Sequence, residues 1–291
     1  MPKRLSQHCR VDDGSGFELA RFDPSGADLP GSKSEGEERL AKLSARLSEL
    51  QDMLYAQDRW AVLIVFQALD AAGKDGTIKH VLSGLNPQGC QTHAFKAPSA
   101  EELDHDFLWR CTTRLPERGR IGIFNRSWYE EVLVVRVHPE LLETQRLPET
   151  LVTKRIWKER LEDIAAFERH LARNGTLVLK FFLHVSKDEQ RRRFMERLDE
   201  PEKNWKFSPD DVAERAHWDA YQAAFESAIR ATAAEHAPWF VIPADRKWLT
   251  RLAVSEIIVG ELEQLGLAYP KVRAAERARL DEARARLESE G

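Results

Sequence analysis

The chain is expected to fold as an α/β protein, a three-layer α/β/α sandwich with a mainly parallel sheet. Three observations carry this. Continuous apolar runs rich in Val, Ile and Phe recur at 60–66, 119–124, 176–185 and 239–242, as strands buried on both faces require. Segments with helical spacing of apolar residues lie between them. Polar, Gly-containing or charged stretches follow the first three runs, where open α/β sheets bind ligands.

Taken in order, residues 1–36 are rich in Ser, Gly, Pro and Asp without apolar period, and read as an extended surface arm, partly disordered. From Glu37, Leu40, Leu43, Leu47, Leu50 and Leu54 fall on one helical stripe, which would pack on the domain or on a second subunit. Strand 60–66 leads through a small-residue loop into a helix over 74–83, and a short strand follows at 92–95. Ser99 and Glu102 have capping-box spacing for a helix carrying Leu103, Phe107 and Leu108 inward. Strand 119–124 ends in Asn125-Arg126-Ser127-Trp128-Tyr129-Glu130-Glu131, and a long helix is expected over 148–173, stopped by Asn174-Gly175. After strand 176–185 come a charge-dense insertion at 189–207, a helix at 218–229, strand 239–242 and a closing helix at 248–267. Residues 271–290 read as a solvated helix of mixed charge. The expected organisation is an arm (1–36), one main domain (37–268) with a lid at about 187–208, and a charged tail (269–291).

The 44 Lys and Arg residues against 48 Asp and Glu give a net charge of -4, so no global field draws this protein to nucleic acid or another polyanion. Any polyanion site must be a local basic groove. Cys9, Cys90 and Cys111 lack metal-ligand spacing and suit reduced thiols, and no apolar run is long enough to span a bilayer. The expectation is a soluble cytoplasmic protein.

Chemistry concentrates in three stretches. Ala68-Leu69-Asp70-Ala71-Ala72-Gly73-Lys74-Asp75-Gly76-Thr77 joins a strand to a helix start, a place where backbone N–H groups cradle phosphate and Lys74 neutralises transferring charge. Ala68 stands where a phosphate loop usually has its first Gly, and Asp75 where Ser or Thr would meet Mg²⁺. Asp75 and Asp70 are themselves hard-cation ligands, so Mg²⁺ is the expected cofactor and Mn²⁺ its alternative. Asn125 occupies the strand-end position where related chemistry uses a carboxylate, and Glu130 is read as supplying that charge, making Asp70, Asp75 and Glu130 the candidate metal ligands. In the lid, Arg191, Arg192, Arg193, Arg197, Lys203 and Lys206 are cations suited to phosphate, and Pro201 divides the segment around a mobile tip.

These residues resemble the polyphosphate kinase 2 family. The loop matches from Asp70 to Gly76, a second motif from Asn125 to Tyr129, and the lid at Arg192, Arg193, Phe194, Arg197, Pro201, Lys203, Trp205, Lys206 and Ser208. The resemblance implies a thymidylate-kinase-like P-loop kinase fold with a helical lid. It also implies reversible, Mg²⁺-assisted transfer of the terminal phosphoryl group of inorganic polyphosphate to AMP, ADP or related nucleotides. Asp70, Lys74, Asp75, Asn125, Arg126 and Glu130 would be catalytic. Ala71, Ala72, Gly73, Gly76, Thr77, Arg192, Arg193, Arg197, Lys203 and Lys206 would bind phosphate or nucleotide. Asn125 paired with Glu130 implies the subgroup acting on both mono- and diphosphates, and the family implies a homo-oligomer, dimer or tetramer. The competing readings are an ATP-dependent nucleoside monophosphate kinase and a non-catalytic polyphosphate or nucleotide sensor.

Overall fold

The computed structural model describes residues 5–29, 31–272 and 274–290, apart from the side chains of 206, 274 and 275. The remaining parts of the expected arm and tail lie outside these residues. Among the described residues six strands form one sheet: β1 (Arg10–Val11), β2 (Ala61–Gln67), β3 (Cys90–Ala94), β4 (Ile121–Asn125), β5 (Thr176–His184) and β6 (Trp239–Pro243). Their order is β1-β6-β5-β2-β4-β3, with β1 antiparallel to β6 and the other pairs parallel.

Every residue of β2 is buried, which its unbroken apolar run requires of a central parallel strand. Val62, Ile64 and Phe66 enter one core while Leu63 and Val65 enter the other, the two-residue alternation of a strand covered on both faces. Helices α1 (Lys33–Gln57), α2 (Lys74–Val81), α3 (Ile156–Arg173), α4 (Lys187–Asp199), α5 (Trp218–Thr232) and α6 (Lys247–Gln264) supply the two outer layers and the lid. On α1, Leu47, Leu50 and Leu54 are buried in the same core as Leu249, Leu252 and Ile257 of α6, so the leucine stripe is covered within the chain.

Three expectations change. Within the arm, Leu5–Cys9 is a short helix, Arg10–Val11 joins the sheet edge, and Phe17 and Leu19 are buried; Asp13 and Asp23 hold the following turns through Ser15, Ser25 and Ala27 N–H groups. The 148–173 helix starts only at Ile156, because the hydroxyl of Thr153 accepts the Arg155 N–H and favours a local turn. The Ser99–Glu102 capping box forms, but its helix ends at Leu103, and Asp106 turns the chain by accepting the Leu108 N–H. Residues Ala274–Ser289 form a helix, α7. No helix among the described residues is long and apolar enough to cross a membrane.

Candidate active site

The site lies at the carboxyl ends of the parallel strands, where β2 and β4 stop side by side with Phe66 opposite Asn125. Beyond β2 the chain turns through Asp70–Gly73 into α2. The turn uses left-handed backbone at Ala71 (φ 60°) and Gly73 (φ 101°), whereas Ala68 is not among the positive-φ residues. Glycine therefore matters at position 73, and the unusual residue at 68 does not prevent the loop from forming. Arg126, the first residue after β4, is also left-handed at φ 69°, a strained conformation for an arginine. Its N–H is fixed on the Phe66 carbonyl at 3.0 Å, and its guanidinium reaches both Asp70 (3.1 Å) and Glu130 (2.9 Å).

A cavity of about 630 Å³ opens over the loop. Asp70, Ala71, Ala72, Gly73, Lys74, Asp75 and Gly76 form its floor, Asn125 and Arg126 one wall, and Arg193, Arg197 and Lys203 of the lid another. A Cβ added at Gly76 would meet nothing within 4 Å beyond its own helix and chain neighbours, so crowding does not require glycine at this cavity-lining position. Lys74 is enclosed by protein and donates to the Ala68 carbonyl at 2.8 Å. Burial, and then the nearby Arg126 charge, lower its pKa, while Asp70, Glu130 and Asp75 oppose that shift.

A second cavity, of about 230 Å³, adjoins the first across Asp70 and Arg126. Its walls mix Glu130, Asp211 and Glu214 with Leu133, Trp218, Tyr221 and Phe225. Glu130 thus belongs to this smaller space, held by Arg126 and by the amide of Gln67, which donates to it at 2.9 Å and accepts from Ser127.

Several other candidates are used differently from the reading by motif. Arg193 is buried, and its guanidinium donates to the carbonyls of Ala71 (3.0 Å), Ala72 (2.8 Å), Ala244 (2.6 Å) and Asp245 (3.2 Å) and to Glu189 (2.7 Å). It ties the phosphate loop to the end of β6 instead of presenting free donors to a ligand. Arg192 projects away from the main cavity and pairs with Glu189 (2.7 Å) and Glu196 (3.3 Å). Thr77 is buried and lines neither cavity. Lys203 does reach the main cavity, paired with Glu196 and Glu200, and Arg197 contacts Asp211 at 3.3 Å. The Lys206 side chain lies outside the described residues.

Two cavity-lining cations, Lys96 and Lys247, escaped the motifs. Both follow the carboxyl end of a parallel strand, the signal that could have found them. Gln190 was also missed: its amide donates to the Asp70 carbonyl at 2.9 Å, joining the lid to the loop.

The donor set fits Mg²⁺ bound through substrate phosphates and not a preformed protein cage. No three metal-ligating side chains converge among the described residues. Asp70 faces Arg126, Asp75 accepts from the Asn125 amide at 2.7 Å, and Glu130 lines the neighbouring space. Two carboxylates on the cavity floor match an ion that keeps most of its shell as water and phosphate oxygens.

Comparison with known proteins identifies the family. The model of polyphosphate kinase 2 (PPK2) matches residues 31–268. The chain is 52% identical over 286 residues to an ADP-polyphosphate phosphotransferase of Rhodopseudomonas palustris, covering 98% of this chain and 99% of that protein. It is 48% identical over 267 residues to an AMP/ADP-polyphosphate phosphotransferase of Meiothermus ruber, covering 91% and 96%. The crystal structure of polyphosphate kinase 2 from Arthrobacter aurescens TC1 superposes with a TM-score of 0.87 at 42% identity, over 97% of this chain and 98% of that one. With its P-loop kinase fold and a match over most of its length, the chain belongs to the polyphosphate kinase 2 family of phosphotransferases.

Proposed function

We propose that the protein transfers the terminal phosphoryl group of inorganic polyphosphate to AMP and ADP. The observation carrying this reading is the pair of unlike cavities meeting at Asp70 and Arg126. The larger has Lys74, Arg197, Lys203 and Lys247 along its walls and suits a chain of phosphates. The smaller, with aromatic and aliphatic side chains beside carboxylates, suits a nucleoside whose phosphate points at the shared wall.

Phosphoryl transfer demands positioning and charge neutralisation more than covalent work by the protein. Lys74 and Arg126 flank the place where the two phosphates would meet, and the strained Arg126 backbone holds its guanidinium in the junction. Asn125 orients Asp75, and Glu130 holds Arg126 from the nucleotide side. Mg²⁺, held by Asp70 and Asp75, would supply further neutralisation of the developing charge. The relatives' names divide on whether the acceptor is ADP alone or AMP as well. We take the broader reading, which the combination of Asn125 with Glu130 in the sequence implies. We further infer a cytoplasmic homo-oligomer.

The test is an assay with long-chain polyphosphate and Mg²⁺, supplying AMP or ADP in turn with no ATP present. Formation of ADP from AMP and ATP from ADP is expected. Transfer that appears only with ATP as donor would replace this reading by a nucleoside monophosphate kinase. Mass photometry of the purified protein gives the assembly state.

A further inference from the structure

A groove of about 430 Å³ runs behind the lid helix, between α1, α4 and α6. Lys247 lines both this groove and the reaction cavity, so the two spaces are adjacent through one side chain. Beyond Lys247 the groove carries Arg251 one helical turn further along α6, Lys33 on α1 and Arg192 on α4. Three acids also line it, and each already has a partner. Glu189 accepts from Arg192 and Arg193 at 2.7 Å, Asp245 from the Ser186 N–H at 2.8 Å, and Glu37 faces Lys33 at 3.8 Å. Neither Lys247 nor Arg251 has a carboxylate within ion-pair distance among the described residues. These cations occupy the opening turns of α6, where acids are the favourable choice and where this helix has none in its first turn. Two cations without a close ion pair among the described residues, Lys247 with Glu196 only at longer range, line a groove adjoining a phosphate cavity and fit an anion extending out of that cavity.

We propose that this groove holds the distal part of a long polyphosphate, the phosphates beyond those in the reaction cavity, passing over Lys247 to Arg251 and Lys33. The proposal rests on the polyphosphate-kinase reading and adds a second, length-dependent subsite to it. It also gives Arg192 a place: its guanidinium faces the groove and can exchange Glu189 or Glu196 for phosphate oxygens. A short donor such as tripolyphosphate would fill the reaction cavity and leave the groove empty.

The experiment compares KM for long-chain polyphosphate and for tripolyphosphate in the native protein, Arg251→Met and Lys33→Met. For each variant, KM for the long chain is expected to rise about tenfold, from losing one charge-assisted contact, while KM for tripolyphosphate moves less than about twofold. Lys33 is largely exposed on α1, so Lys33→Met provides a test in a folded protein even if Arg251→Met destabilises α6. Equal shifts for both donors, or none for either, overturn the groove. Absence of transfer from both donors in the native protein instead overturns the kinase reading itself.

Discussion

Lys74 and Lys180 are both enclosed lysines of the same domain, and burial lowers the pKa of each, yet their surroundings differ in one decisive respect. The amine of Lys180 meets Glu168 at 2.5 Å, the Thr232 carbonyl at 2.8 Å and the Tyr129 hydroxyl at 3.2 Å, enough acceptors for all three of its N–H groups. Among the described residues the Lys74 amine has a single hydrogen bond, to the Ala68 carbonyl, and it faces a cavity. A saturated buried charge holds structure together, whereas one left short of acceptors is available to a ligand. The two regions also connect, since Tyr129 belongs to the segment that carries Asn125, Arg126 and Glu130. Its hydroxyl donates to Glu168 (2.8 Å), and the Trp128 indole N–H reaches the same carboxylate at 3.3 Å.

The largest expected effect breaks the saturated site. Lys180→Met leaves Glu168 buried without its cation and should cost about 3–5 kcal/mol of stability, read by urea denaturation. Glu168→Gln in the same chain should recover part of that loss, a coupling of about 0.5–3 kcal/mol. Additive losses in this double-mutant cycle would show that the pair does not act as a unit.

Lys74→Ala breaks the other side of the comparison. Transfer should fall by at least about 10², equivalent to about 2.7 kcal/mol of transition-state stabilisation, with denaturation midpoint nearly unchanged. Near-native turnover in the folded variant would remove Lys74 from the chemistry.

His184 sharpens the contrast by presenting a third condition, a buried ring whose Nδ1 has no hydrogen-bond partner among the described residues. Burial holds its pKa down at about 4, against an ordinary 6.5, with Asp245 and then Asp23 opposing. Between those values the unfolded chain binds more protons than the folded one, so stability falls as pH drops from about 6.5 toward about 4. The cost should reach about 2 kcal/mol by pH 5, and His184→Gln should flatten this part of the stability–pH curve. An unchanged slope would assign the acid sensitivity to other groups.

Much of this arrangement was legible in the chain because strand and loop signals are local. The run ending at Phe66 and the Gly73-Lys74 turn marked β2 and the phosphate loop, and Asn125-Arg126 marked the end of β4. What could not be read was orientation. Successive helical residues point about 100° apart, so Arg192 and Arg193 are equivalent as charges in sequence and opposite in use once α4 is docked. Lys247 lay far from every motif, and its place just after the strand at 239–242 was the one local signal that pointed to the cavity. Glu130 was singled out as a charge that would serve Asn125, and in the structure its partner is Arg126 beside the smaller space.

Arg193 offers the finest test, because it lines the reaction cavity and yet its donors are occupied by the protein itself. If its role is to clamp the loop, keeping the positive charge is insufficient. Arg193→Lys places its donors at one point and cannot span the carbonyls of Ala71, Ala72, Ala244 and Asp245 together. Stability should then fall by about 1–2 kcal/mol as buried carbonyls lose their partners, while KM for polyphosphate changes less than about threefold. A direct phosphate ligand would behave in reverse, with KM rising steeply and the denaturation midpoint holding. Measuring both quantities on one preparation decides between a lid cation that touches substrate and one that shapes the loop beneath it.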